Sequence, residues 1–168
     1  MRWLRSFFRS REVVGIAGDT LSFALEAAED THPNEYMGIL RGTPADQLGL
    51  EGSDLIITDI LVIPGTESGP FSASMKDWVR PNDTASVGSV HSHPSGVLRP
   101  SDADLGTFGR GDVHIILGAP YDWNDWAAFD ENGERISLPV LDVDLPDPES
   151  FFHFDQADID AELRGESR

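Results

Sequence analysis

The segment His91-Ser92-His93-Pro94-Ser95-Gly96-Val97-Leu98-Arg99-Pro100-Ser101-Asp102-Ala103-Asp104 decides how the chain folds and which chemistry it can carry. It continues from Ala85-Ser86-Val87-Gly88-Ser89-Val90, and the spacing predicts a strand over 85–91. Side chains along a strand repeat every second residue, so His91 and His93 project the same way and can reach one metal ion. Pro94 cannot donate to a sheet ladder, so the chain leaves the sheet there. Gly96 permits a tight turn, and the loop closes at Ser101, which caps a short helix over 101–108. Asp104 stands one helical turn beyond Ser101, so both can face the two histidines. Two imidazoles and a carboxylate form a three-ligand zinc site with a fourth position left for water. Zinc in such a site polarises a carbonyl and lowers the pKa of its water to about 7. A base is still required, and Glu35 is the candidate.

Working outward, residues 13–17 are short and β-branched and open a sheet. Residues 21–30 (LSFALEAAED) have apolar positions at helical spacing, with Asp19 or Thr20 suited to cap the helix. His32-Pro33 ends it, because the residue before a proline is pushed out of the helical region. Glu35-Tyr36-Met37-Gly38-Ile39-Leu40 then reads as a strand ending at Gly42, and further strands are expected over 55–63 and, in a central place, over 113–117. Stretches 126–130 and 134–138 flank Glu131-Asn132-Gly133, whose Asn-Gly pair signals a hairpin. Between 64 and 83 lies a Gly/Ser/Pro-rich stretch too long for a tight turn, the kind of loop that often carries function. The order of elements gives one mixed α/β domain. It runs over 13–141, between an arginine- and aromatic-rich segment (1–12) and an acidic, proline-broken tail (142–168) with a helix over 155–163.

Composition narrows the partners. The 168 residues carry a formal charge of −18, with 30 acidic side chains against 12 basic ones, and Lys76 is the only lysine. Such a surface repels phosphates, so nucleic acid is excluded as a partner. Acid spread along the whole chain, with arginine in place of lysine, points to a salt-loving archaeal cytoplasm. No apolar run approaches the roughly 18 residues a membrane span needs, and residues 1–12 lack the continuous apolar core of a signal peptide. Stable membrane association is not expected. With no cysteine in the chain, thiol nucleophiles and sulfur-ligated zinc are ruled out.

The pattern His-x-His-Pro, six residues, Ser, two residues, Asp resembles the signature of JAMM/MPN+ metalloproteases, and His91 to Asp104 matches it without gaps. Glu35-Tyr36-Met37-Gly38, followed by Ile39-Leu40, is similar to the upstream glutamate strand of that family, and Gly118-Ala119-Pro120-Tyr121 also looks familial; the likeness runs from about 13 to 140. The resemblance implies a single MPN/JAB-type, cytidine-deaminase-like α/β domain with a mixed central sheet flanked by helices. It implies Zn2+ on His91, His93 and Asp104, Glu35 as general base, and Ser101 as hydrogen-bond donor to the developing oxyanion. That last role competes with helix capping, which one hydroxyl does not easily combine with it; the oxyanion role is favoured. It further implies a minimal catalytic domain, similar to desampylase-type deconjugating enzymes, that cuts between the C-terminal glycine of a ubiquitin-like modifier and a target lysine. The alternatives are a peptidase trimming a sulfur-carrier or modifier-fusion C-terminus, and a non-catalytic MPN scaffold.

Other polar and aromatic residues read as structural. Ser92 and Ser95 are expected to make local loop bonds, His114 to be a satisfied core histidine, and His32 and His153 to lie in loops. Tyr121, Trp123 and Trp126 read as packing at the sheet edge, and Phe151, Phe152 and Phe154 as anchors for the tail. The 64–83 stretch is the candidate wall of a cleft in which an extended Gly-Gly tail adds a strand beside a sheet edge.

Overall fold

The computed structural model describes residues 10–62 and 85–145. The 64–83 stretch with Lys76, most of the N-terminal segment, the expected helix over 155–163, and Phe151, Phe152, His153 and Phe154 lie outside them. Among the described residues no helix is long and apolar enough to cross a membrane.

Eight strands form one mixed sheet: β1 (Val13–Ala17), β2 (Met37–Pro44), β3 (Leu55–Val62), β4 (Ser86–His93), β5 (Val113–Gly118), β6 (Trp126–Phe129), β7 (Arg135–Ile136) and β8 (Val140–Leu141). Their spatial order is β7-β6-β5-β4-β2-β3-β1-β8. β1 pairs in parallel with β3 and β8, and β4 with β5, while the remaining neighbours run antiparallel. Helix α1 (Gly18–Thr31) lies on one face, burying Leu21, Ala24, Leu25 and Ala28 against Tyr36, Leu40, Ile57, Val90, Ile115 and Leu117. The spacing of those four residues is the apolar stripe of an amphipathic helix. Helix α2 (Asp102–Phe108) belongs to the opposite face, where fully buried Phe108 meets Ile116, Ala127 and Phe129. Ile115 and Ile116 fall in different clusters because successive strand residues point to opposite sides. Burying Phe108 stabilises the fold by about 1.5–3 kcal/mol, and it is the apolar contact that holds α2 down.

The fold agrees with the expected mixed α/β sheet and departs from it in local detail. Neither Asp19 nor Thr20 caps α1: the helix starts at Gly18 with Ala17 as N-cap and no side-chain bond. β1 runs straight into α1, Thr20 turns inward and is buried, and Asp19 sits in the first turn, where its charge complements the helix dipole. β2 begins later and ends later than expected, since a bulge at Arg41/Gly42 carries pairing with β3 on to Pro44. Glu35 therefore precedes the strand instead of opening it. The second arm of the hairpin shortens to Arg135–Ile136, because Asp130 accepts from the amides of Asn132 and Glu134 (both 2.9 Å) and so sets a wider loop than an Asn-Gly turn. β5 lies third from the β7 edge, buried along its whole length. β8, whose two residues add to β1, is foreshadowed by no pattern strong enough to read.

Candidate metal centre

β4 extends to His93, so both histidines stand on strand backbone, with His91 opposite Met37 of β2 and Ile116 of β5. Continuing the β2–β4 register by two residues puts Glu35 opposite His93, and directly opposed residues share a face. Ser89, His91 and His93 therefore line the α2 side of the sheet, with Glu35 at the same end. A turn follows, in which the Gly96 amide donates to the His93 carbonyl at 2.9 Å and Gly96 takes φ +78°. This is the left-handed region that glycine enters without cost. The loop then lies across the end of β5, where a β-carbon on Gly118 would come within 2.9 Å of Leu98 Cδ2 and 3.0 Å of the Gly96 carbonyl oxygen. Gly118 has no side chain, so the loop can close and deliver Ser101 and Asp104 over the histidines.

Three donors converge. His91 Nε2 stands 3.1 Å from His93 Nε2 and 3.1 Å from Asp104 Oδ1, and His93 Nε2 stands 3.3 Å from Asp104 Oδ2. Tetrahedral zinc ligands at about 2.0 Å from the ion are separated by about 3.3 Å, close to the spacing of these pairs, although each histidine faces a different Asp104 oxygen. With one ligand atom per residue the three lie within 4.8 Å of one another. The His93 Nδ1–H donates to the Val97 carbonyl at 2.7 Å, which leaves Nε2 with its lone pair in the neutral ring and fixes the ring plane. The donors are mostly but not wholly buried, at 8–17% side-chain exposure; the site opens outward, toward exposed Glu35.

Charge is coupled through the same contacts. The hydrogen bond to Asp104 raises the His93 pKa against the opposing effect of burial, and the nearby Glu35 charge adds to the rise. Burial works to raise the Asp104 pKa, but hydrogen bonds from His91 and His93 outweigh it and hold the carboxyl far below the usual carboxylate range. Asp104 is therefore ionised at any working pH and available as a ligand.

Ser101 is the N-cap of α2. Its Oγ accepts from the Asp104 amide at 3.2 Å, and Asp104 Oδ2 accepts from the Ser101 amide at 2.6 Å, which closes a capping box. A capping hydroxyl acts as acceptor and keeps its proton free to donate, so the two roles set against each other for Ser101 are compatible. His114 is a buried core histidine with both nitrogens engaged: Nε2–H donates to the carbonyls of Phe108 (2.8 Å) and Gly111 (3.2 Å), and the Ser89 hydroxyl donates to Nδ1 at 2.8 Å. Burial keeps its pKa low, and the neutral ring stacks on Phe108 at 4.1 Å. His114 thus ties the end of α2 to the sheet, a role hidden in sequence because its partners are backbone carbonyls. Ser92 is not a loop residue. It lies within β4, fully buried, and its Oγ accepts from the Tyr36 amide at 2.8 Å. Ser95 makes the expected local bond, accepting from the Val97 amide at 3.4 Å. His32 caps the end of α1 and meets the Tyr121 hydroxyl at 3.3 Å; Tyr121 is buried and Trp126 packs on the core, whereas Trp123 is half exposed. β4 is flanked by β2 and β5, so the described sheet has no free edge at the site.

Residues 19–129 match the model of the prokaryotic homologs of the JAB domain. The chain is 64% identical over 156 residues to a "probable metalloprotease" of Haloferax volcanii, which covers 93% of this chain and 97% of that protein. Among solved structures, a JAB1/MPN domain protein from Archaeoglobus fulgidus is 31% identical, with a TM-score of 0.59 over 77% of this chain and 100% of the other. A second, described as JAMM, a metalloprotease-like zinc site in the proteasome and signalosome, is 30% identical with a TM-score of 0.55, over 77% and 99% of the two chains.

Proposed function

This chain belongs to the prokaryotic homologs of the JAB domain, and from that premise we propose that it is a zinc-dependent isopeptidase that releases ubiquitin-like modifiers from target lysines. It is a JAMM-type metalloprotease-like domain. The reading is carried by one observation: His91, His93 and Asp104 present ligand atoms within 4.8 Å of one another, on the face and at the strand ends to which Glu35 belongs.

His91 and His93 through Nε2, and Asp104 through its carboxylate, would hold the ion. Zinc, when bound, supplies a Lewis acid for the scissile carbonyl and brings the pKa of its water to about 7. Glu35 takes a proton from the attacking water and passes it to the leaving lysine amine. The Ser101 hydroxyl donates to the oxygen of the attacked carbonyl as charge develops there, a contact worth about 3 kcal/mol in comparable sites. The donors are mostly buried, at 8–17% side-chain exposure, and the extended backbone of a C-terminal Gly-Gly tail is the slimmest substrate that could reach them. The charge of −18 supports work at high salt in a cytoplasm.

The test incubates zinc-loaded protein, in molar salt, with purified conjugates of a small β-grasp modifier ending in two glycines. Release of free modifier is expected, with chelators abolishing it and thiol-blocking reagents without effect, since the chain has no thiol. Glu35→Ala should lower kcat by about 10²–10⁴-fold at unchanged zinc content. Cleavage retained by that variant removes Glu35 as the base. Conjugates left intact while linear modifier–peptide fusions are trimmed would move the activity to C-terminal processing, and inertness toward both would make the domain a scaffold.

A further inference from the structure

We propose that Ser92 is a positioning residue that locks Glu35 in register with the two histidines; this rests on the reading of Glu35 as the base. Ser92 lies between the histidines in sequence, but its side chain points to the other face of the sheet, so it touches neither the metal donors nor an approaching substrate. At the hydrogen-bonded positions of an antiparallel pair, which alternate with non-bonded ones, opposed residues exchange both backbone hydrogen bonds. Here only one is made between backbones, from the Ser92 amide to the Tyr36 carbonyl at 2.9 Å. The second comes from the side chain: the Tyr36 amide donates to Ser92 Oγ at 2.8 Å. Strand β2 begins only at Met37, so this hydroxyl extends the pairing one residue past the ladder, toward Glu35.

Peptide planarity makes that extension matter. The Tyr36 N–H lies in the same rigid plane as the Cα of Glu35. Fixing the amide therefore fixes the position of the Glu35 Cα, the point from which its side chain leaves the backbone. The other end of the bond belongs to the residue whose neighbours are the ligands His91 and His93, so base and ligands share one short covalent frame. Ser92 is fully buried, and Tyr36 is buried too, its phenol pushed up to about 12 by desolvation and so neutral. Water cannot readily replace the hydroxyl there. Without it the segment before β2 keeps a single backbone bond to β4 at this point and can swing, and a carboxylate must sit within hydrogen-bond reach of its proton to act as base.

The experiment combines Ser92→Ala, Glu35→Ala and the double variant, all zinc-loaded, with conjugate cleavage, zinc affinity by chelator competition and amide exchange by NMR. Ser92→Ala should lower kcat about 10–100-fold, the range of supporting residues one contact from a site, with KM and zinc affinity unchanged. In the Glu35→Ala background the same change should cost nothing further, because residues acting as a unit are non-additive. Exchange at the Tyr36 amide should accelerate in Ser92→Ala while Ile39 and Leu40 stay protected, a readout that needs no substrate. Should the alanine variant unfold, Ser92→Thr, which keeps the oxygen, carries the comparison, with wild-type protection at Tyr36 expected. Additive losses in the double variant, weakened zinc binding in Ser92→Ala, or an equally protected Tyr36 amide would each overturn the proposal. A fully active Glu35→Ala would instead remove the base, and the proposal with it.

Discussion

The two halves of the metal centre are held by unlike means. His91 and His93 stand on β4, inside the sheet, where β5 pairs along both of them and β2 pairs as far as His91. Asp104 stands on α2, a helix of seven residues, shorter than any helix stable by itself in water. What fixes α2 is a set of tethers: the capping box at its start, Phe108 sunk into the sheet near its end, and His114 reaching up to the last carbonyls. The strand half is held mainly by backbone pairing, with the Ser92 hydroxyl completing it at Tyr36, and the helix half is held only while its side chains hold. Strain or mutation should therefore enter the site through α2.

The sharpest probe of that asymmetry is Ser101, which belongs to both the tether and the proposed chemistry. Ser101→Ala should cost about 1 kcal/mol of stability as a lost N-cap. It should also slow cleavage by about 10²–10³-fold as a lost oxyanion donor. Ser101→Asp separates the two effects, because a carboxylate caps well but has no proton to give. Thermal unfolding and kcat are measured on both variants. Recovery of the midpoint without recovery of kcat is expected; recovery of both would reduce Ser101 to a tether.

His114 tests the other end of the helix. His114→Leu leaves the Phe108 and Gly111 carbonyls without this donor and removes the stacked ring, at a cost of about 1–3 kcal/mol. If α2 depends on its tethers, zinc affinity should fall about 10–100-fold although His114 touches no ligand atom. Chelator competition decides it. Wild-type affinity in a folded His114→Leu protein would mean that the capping box and Phe108 suffice to set Asp104, which would shrink the contrast between the halves.

The same division explains what could be read from the residues alone. His91, His93 and Asp104 were legible because two periodicities, one of strands and one of helices, each bring their members to one side, and Gly96 and Pro94 mark the junction between them. The sheet was legible wherever apolar runs were long, as in β3 and β5. Side-chain-to-backbone contacts between separate elements, unlike the local ones of Ser101 and Ser95, left no trace. Ser92 reads as a loop serine until Tyr36 is found opposite it, and His114 reads as a core residue without showing that its core role is to hold a helix end. β8 has two residues, too few for any period, and α1 takes its start from the sheet strand feeding it instead of a capping side chain. Ser101 shows a further limit: spacing can nominate a hydroxyl for two tasks without revealing that one uses its lone pair and the other its proton.

Protons join the two halves, and their effect is the smallest and most easily graded. In the metal-free protein the His93 pKa is raised from 6.5, chiefly by its hydrogen bond to Asp104, and that of Asp104 is lowered from 3.8 against the opposing effect of burial, by hydrogen bonds from His91 and then His93. A raised histidine stabilises the fold fully below its unfolded value and loses that contribution as pH climbs through the folded one; a depressed aspartate contributes above its unfolded value and loses it as pH falls. The metal-free domain should thus gain most from this contact between pH 3.8 and 6.5 and lose part of it on going to neutral pH. Zinc responds in the opposite sense, since it must displace the proton from His93 Nε2: below the raised pKa, affinity should fall by about tenfold per pH unit for one proton displaced. Unfolding midpoints between pH 5 and 8, with and without zinc, should therefore diverge as pH rises, by roughly the linkage of ligand binding to stability. Asp104→Asn, which keeps an oxygen for the capping box but removes the charge, should flatten the metal-free profile. A profile unchanged by that substitution would show that the helix half does not set the charge state of the strand half.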